Sequence, residues 1–237
     1  MQCIDALYAH TNIPFNAIVV DDSTDLTPQY FAQLDKPNLT YFRPKVKLTE
    51  CNQVINLALK KTRAPYVVYM GNSTQVEPRW LEPALQIMKQ DSKIGLIGFK
   101  LIWESTGIIE HAGIDFQAGW PHHVNVGIYE PAHRHTVIRR MPAVGFALVL
   151  MRREAVKDGF ETGNYIGFSG FDDVDNCFTL NKKGWEVVYC GLGCAYHQTM
   201  ATRNTPEKEI ELNEKSEENR FRFLARWGVP ELNEGGK

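Results

Sequence analysis

The chain has 237 residues, 43% of them hydrophobic and 23% charged, with a formal net charge of -2. That is enough for one sizeable α/β core and too little for two comfortable domains. The near-neutral balance offers no basic field to nucleic acid or to an anionic membrane.

The longest apolar run, 143–151, is far short of a membrane span, and the N-terminus shows no basic segment followed by an apolar one. The five cysteines are an odd number without framework spacing, which fits reduced thiols in a cytoplasmic protein. Cys190 and Cys194 could form half of a metal site. No second pair completes it, so they read as small buried hydrophobes.

In chain order, 3–9 reads as the tail of a helix and Phe15 to Val20 as a strand. The strand runs into the polar turn Asp21 to Asp25, and Thr27-Pro28 opens a helix. Leu39 to Phe42 is a short strand. Thr49 caps a helix reaching Thr62, with Val54, Leu57, Ala58 and Lys61 spaced to face the core. Tyr66 to Met70, an all-apolar run cut off by Gly71-Asn72-Ser73-Thr74, reads as a strand buried on both faces. Pro78 starts a helix, and Ile94 to Phe99 forms a strand. This alternation predicts a largely parallel sheet.

The second half is more broken. Short β-like pieces at 107–116 and 127–129 precede a long strand candidate, 141–151, and a short helix, 152–157. Asp172 opens a helix ended by Gly184. Trp185 to Tyr189 is the last clear strand. A polar helix spans 206–227, with Phe221, Leu224 and Ala225 as its apolar face.

Two turns follow strand ends, Asp21 to Asp25 and Gly71 to Thr74. In a parallel sheet such ends share one edge, where ligands bind. An aspartate pair there can hold a base or ribose. It equally suits an Asx turn with Asp25 as cap. Phe171-Asp-Asp-Val-Asp175 crowds three carboxylates into the first turn of a helix. The helix dipole keeps such a carboxylate ionised, as a general base requires, and simple capping is the alternative. His122, His123, His133 and His135 suit an exposed loop better than a metal cluster. Among the tryptophans, Trp185 suits the core, and Trp120, between Gly119 and Pro121, suits a sugar platform.

The order of these pieces carries a resemblance. Ile18-Val-Val-Asp-Asp-Ser-Thr-Asp25, Ala64-Pro-Tyr-Val-Val-Tyr-Met70, His111-Ala-Gly113, the segment 144–154, Phe171-Asp-Asp-Val-Asp175, 184–189 and His197 stand in the order found in family 2 glycosyltransferases. The resemblance covers nearly all of 16–197. It implies a GT-A-like α/β fold: a mostly parallel Rossmann-type sheet flanked by helices, with a smaller mixed β acceptor half. It implies one domain over 1–237. The nucleotide-sugar half is 1–100, the acceptor and catalytic half 101–200, and a helix and tail complete it.

It further implies sugar transfer from a nucleotide-sugar donor to a glycan or similar hydroxyl, usually with inversion, as in polysaccharide biosynthesis. Carried over by position, Asp173 is the base. Asp21 and Asp22 contact the nucleoside, with Asn72 and Ser73 beside the diphosphate. Asp172, Asp175 and Trp120 serve the acceptor, and His197 matches a position that joins the metal in some members. A degenerate, non-catalytic binding domain is the competing reading.

Two departures bear on that choice. Ser73 stands where the family's metal motif ends in aspartate, and hard divalent cations such as manganese or magnesium prefer carboxylate oxygens. The divalent metal is therefore a doubtful cofactor, and Arg203 is the cation named to replace its charge. The family also begins with a further strand whose turn grips the nucleotide, and this sequence starts in the helix after it. That leaves a truncated chain or a sheet one strand short.

Overall fold

The computed structural model describes residues 2–117, 120–128, 135–198 and 206–228. A first helix, α1 (Gln2–His10), leads to β1 (Ala17–Val20), α2 (Thr27–Gln33) and β2 (Leu39–Phe42). β1 and β2 pair in parallel as a sheet of their own, with Ala17 opposite Leu39. Then come α3 (Cys51–Leu59), β3 (Tyr66–Met70), β4 (Thr74–Val76), α4 (Glu82–Gln90) and β5 (Ile94–Trp103). β6 (Ile109–His111), β7 (Ile114–Gln117), β8 (Trp120–His123), β9 (Ile138–Arg140) and β10 (Leu148–Arg152) follow. α5 (Asp172–Lys182), β11 (Glu186–His197) and α6 (Pro206–Trp227) complete the described chain.

The main sheet has seven strands, with β3-β10-β5-β11-β4 as its path and β6 and β9 attached to β5 and β11. β5 and β11 run parallel, and β10 lies antiparallel between β3 and β5. The sheet is therefore mixed. The strand–helix alternation of the first half sets β3 and β5 in one direction; β11, from the second half, runs with them, and β10, also from the second half, is inserted against them. All three strands end on the same edge, where Gly71 follows β3 and His197 closes β11.

Cores form on both faces of the sheet. On one, α1 and α4 cover Trp80, Met88, Ile97, Phe99 and Leu150. On the other, α3, α5 and α6 cover Ile55, Leu96, Val149, Met151, Leu180 and Phe223. No helix among the described residues is long and apolar enough to cross a membrane.

Several elements depart from their sequence reading for identifiable reasons. β3 is half-buried along its whole length rather than covered on both faces. Among the described residues its outer edge, like that of β1, has no paired strand. The core face of α3 is Asn52, Ile55 and Leu59, not Val54, Leu57 and Ala58. Asparagine misleads a hydrophobicity pattern, but here it bonds inward. Asn52 Nδ2 donates to the Glu161 carbonyl and to Asn176 Oδ1, and Asn56 Nδ2 donates to the Phe160 carbonyl.

Thr49 does not cap that helix. Its N–H donates instead to Gln53 Oε1 at 2.9 Å, and Glu50 is the cap residue. The helix after Pro78 starts only at Glu82, because Arg79 sits at φ 61. The strand expected over 141–151 begins at Leu148, and residues 153–158 form turns rather than a helix. The 141–147 stretch carries Pro142 and Gly145 and spends its backbone groups on loops, including Ile114 N–H to the Ala143 carbonyl. On α6 the buried residues are Asn219 and Phe223, whereas Phe221 is 60% exposed.

Candidate active site

The loop before α5 is the centre of the site. Gly170 and Phe171 both have left-handed backbones, φ 86 and 72. A non-glycine residue there is strained. The strain is held by packing: the Phe171 ring lies 5.7 Å from that of buried Phe223. This kink aims the first turn of α5 at the strand ends.

Asp173 Oδ1 accepts the Val174 N–H at 2.8 Å, and the Phe146 N–H also donates to this carboxyl. Burial pushes Asp173 upward, against the pull of those amides. Asp172 is pushed from 3.8 up to about 7 by burial and by the adjacent Asp173 charge. Two carboxyls this close do not both ionise freely, and the pair titrates as a unit. Backbone amides favour the charged form of both carboxyls, Val174 and Phe146 among those on Asp173, and burial opposes it at both. A base whose pKa is raised towards neutrality is a more effective one.

The sign for stability follows. A carboxyl with its folded pKa raised contributes most below its unfolded pKa and loses that contribution as pH rises through about 7. Asp172→Asn is therefore expected to raise the melting temperature by several degrees at about pH 8 and to leave it nearly unchanged at about pH 4. Thermal scans at both pH values check this, and equal effects at both would refute it.

Asp175, three residues on, faces away. It is 2% exposed and accepts from Tyr165 Oη at 3.0 Å, Arg226 Nε at 2.9 Å and Trp227 Nε1 at 2.5 Å. Its carboxylate ties α6 to α5 and is saturated by protein groups. The family resemblance placed it with the acceptor residues, and a motif carried over by position does not reveal the three donors.

The Gly71–Thr74 turn stands beside the loop that holds Asp173. Gly71 N–H donates to the Ala147 carbonyl at 2.8 Å, and Thr74 Oγ1 donates to the same oxygen at 3.2 Å. Ala147 follows Phe146, so one short segment serves both the turn and the Asp173 carboxyl. Asn72 and Ser73 lie in the turn, and the Ser73 carbonyl accepts from Gln198 N–H at 2.9 Å. His197 pairs with Thr74 across the β4–β11 ladder. Its Nδ1 meets both Glu110 oxygens, at 2.9 and 2.8 Å. Glu110 was not singled out from sequence. A carboxylate on Nδ1 sets the ring so that Nε2 is free for a ligand.

A divalent cation is poorly served here. Asn72 and Ser73 offer neutral oxygens, and Glu110 is occupied by His197. Among the described residues no group of three or more His, Cys, Asp or Glu could hold a metal ion. The donor set does not fit a hard cation. Arg203 and His133 lie outside the described residues.

Asp21 is 7% exposed and already committed. It accepts from Tyr41 Oη at 2.5 Å and from Ser23 N–H at 2.9 Å, with Arg43 at 3.4 Å. Burial raises its pKa, but these donors outweigh that and leave it lowered. Asp22 is exposed and accepts the Leu48 N–H at 3.1 Å. That bond leads to Glu50, whose charge reaches Asp172. Asp25 accepts the Thr27 N–H, so this stretch is an Asx turn as well as a strand-end turn. One face of Trp120 is taken by the Arg220 guanidinium, 3.6 Å from the ring centroid. Trp185 packs against the core.

A parallel strand set with an inserted antiparallel strand, and a kinked acidic helix start beside the glycine turn, define a GT-A glycosyltransferase architecture. GalNAc-T7, solved with UDP, GalNAc and Mn2+, superposes with a TM-score of 0.65 at 15% identity, over 94% of this chain and 46% of that one. The mannosyltransferase PcManGT from Pyrobaculum calidifontis, in complex with GDP-Man and Mn2+, gives 0.63 at 17% identity, over 97% and 61%. S. aureus TarS 1-349 gives 0.59 at 15% identity, over 95% of this chain and 66% of that one.

Residues 1–160 match the Glycosyl transferase family 2 model, and the chain belongs to that family. In sequence it is 27% identical over 165 residues to the uncharacterized protein y4gI of Sinorhizobium fredii (strain NBRC 101917 / NGR234), covering 65% of this chain and 18% of that one. The chain thus spans less than two thirds of these relatives.

Proposed function

We propose that the chain transfers a sugar from a nucleotide-sugar donor to a hydroxyl of a glycan or similar acceptor, with inversion. The observation that carries this reading is Asp173, raised by burial yet held by two backbone amides, beside the turn that ends β3. In the step, the acceptor oxygen attacks the anomeric carbon as the bond to the diphosphate oxygen breaks. The hydroxyl proton passes to Asp173. Asp172, which titrates together with Asp173, supports the base. Asp22, with its exposed carboxylate, is better free than Asp21 to touch the nucleoside. Asp21 shapes the turn. Asn72 and Ser73 line the diphosphate side with neutral side-chain donors, and His197, its Nδ1–H spent on Glu110, stands beside them.

A non-catalytic glycan-binding domain is the second reading, favoured by the neutral Gly71–Thr74 turn. Titration calorimetry with UDP and GDP, with and without Mn2+, separates the two. Binding of either nucleotide supports the transferase, and the donor set predicts little dependence on Mn2+. No heat with any nucleotide supports the binding domain.

A further inference from the structure

The transfer chemistry makes no use of His111 and His123, and the structure joins them. His111 is 1% exposed, and the Gly145 N–H meets its Nε2 at 3.2 Å. A backbone N–H can only donate, so Nε2 accepts and the proton of the neutral ring sits on Nδ1. That Nδ1 lies 2.9 Å from Nδ1 of His123. His111 therefore donates, His123 Nδ1 accepts, and the His123 proton is placed on Nε2. One glycine amide decides both tautomers. Burial, with His123 and His197 nearby, holds His111 well below the usual imidazole range, so its ring stays neutral and the direction of the chain does not reverse.

The same segment places this pair beside the base. Both rings lie against Gly145: a Cβ there would stand 3.7 Å from Cε1 of each. The next residue, Phe146, donates its N–H to Asp173, and the His123 ring lies within electrostatic reach of the Asp173 carboxyl. His123 is exposed, and among the described residues its Nε2 has no protein hydrogen-bond partner. The base and a fixed, exposed N–H thus share one neighbourhood.

We infer that His123 is an acceptor-site residue, whose Nε2–H and the Asp173 carboxylate together read a neutral hydroxyl. A hydroxyl gives one hydrogen and receives at its lone pairs, so it satisfies both groups at once. An ammonium has only hydrogens to give and would meet Nε2–H with N–H. The pair therefore selects alcohols over amines as acceptors. His123 keeps its proton throughout, and the hydroxyl proton goes to Asp173. The inference rests on reading Asp173 as the base.

The test uses the full chain with 15N-labelled histidine at neutral pH, probed with methyl glycosides of glucose, galactose, mannose and N-acetylglucosamine. Long-range 1H–15N spectra are expected to show His111 as the Nδ1–H form and His123 as the Nε2–H form. His111→Phe should release His123 into a mixture of tautomers, and a methyl glycoside should move the His123 Nε2 signal. A proton on Nδ1 of His123 overturns the inference, and so does an Nε2 signal that none of the glycosides moves.

In transfer assays His123→Phe should raise the acceptor KM about tenfold, with part of the loss restored by His123→Gln, which returns a side-chain N–H. Nucleotide affinity should not change. Transfer surviving in Asp173→Asn would remove the base assignment while leaving the tautomers as found. A wild-type acceptor KM in His123→Phe would remove this inference alone.

Discussion

Asp173→Asn is expected to lower sugar transfer by about a thousandfold, the scale at which a positioned general base contributes. The change is nearly isosteric. The amide oxygen can still accept from the Val174 and Phe146 N–H groups that hold the carboxyl now. What it loses is the ability to take the acceptor proton. Nucleotide affinity should be unaltered, because the role proposed for the residue is towards the acceptor. The fold should be slightly more stable near neutral pH, because Asp172 loses the like charge beside it. Steady-state transfer, nucleotide calorimetry and a melting curve on one preparation check all three. Unchanged turnover would place the base elsewhere.

The largest effect on stability is expected at Asp175. Asp175→Ala strips a partner from Tyr165, Arg226 and Trp227 together. Breaking a buried, hydrogen-bonded ion pair leaves an uncompensated charge and costs about 3–5 kcal/mol. Arg226 keeps Glu161 at 2.8 Å and is partly exposed, so about 2–3 kcal/mol is expected here. The loss should be local at first. α6 is pinned by this carboxylate, by Phe223 and by Asn219, whose Oδ1 accepts the Ile166 N–H at 2.7 Å. Limited proteolysis should therefore cut within 206–227 before the sheet core opens. Denaturant titration measures the total loss, and Asp175→Asn, which keeps an acceptor oxygen, should lose less. Wild-type stability in the alanine variant would show that α6 is held by its apolar face alone.

These two aspartates sit two residues apart in one motif, and their roles are opposite. Asp173 points to the strand ends, and Asp175 points to the C-terminal helix. At 100° per residue, a two-residue step turns a side chain to the far side of a helix. The motif was legible as an acidic helix start, but the partner of each carboxyl was not. Glu110 shows the same limit. Nothing local distinguishes it, and it matters because β6 brings it to His197, 87 residues away.

The sequence by itself determined the alternation of strands and helices in the first half, the position of α5 and its acidic start, and the two turns at strand ends. Those are local matters: runs of β-branched residues, a proline at a helix start, a glycine after the last turn. Only the tertiary structure decided that β10 enters antiparallel, that α3 buries asparagines, and that Asp175 anchors a helix. It also decided that a backbone amide at Gly145 sets the protons of two histidines. Each of those depends on hydrogen bonds between groups 10 to 124 residues apart. Hydrophobic periodicity reports how a side chain prefers to meet solvent, and it carries no record of which distant donor waits for it.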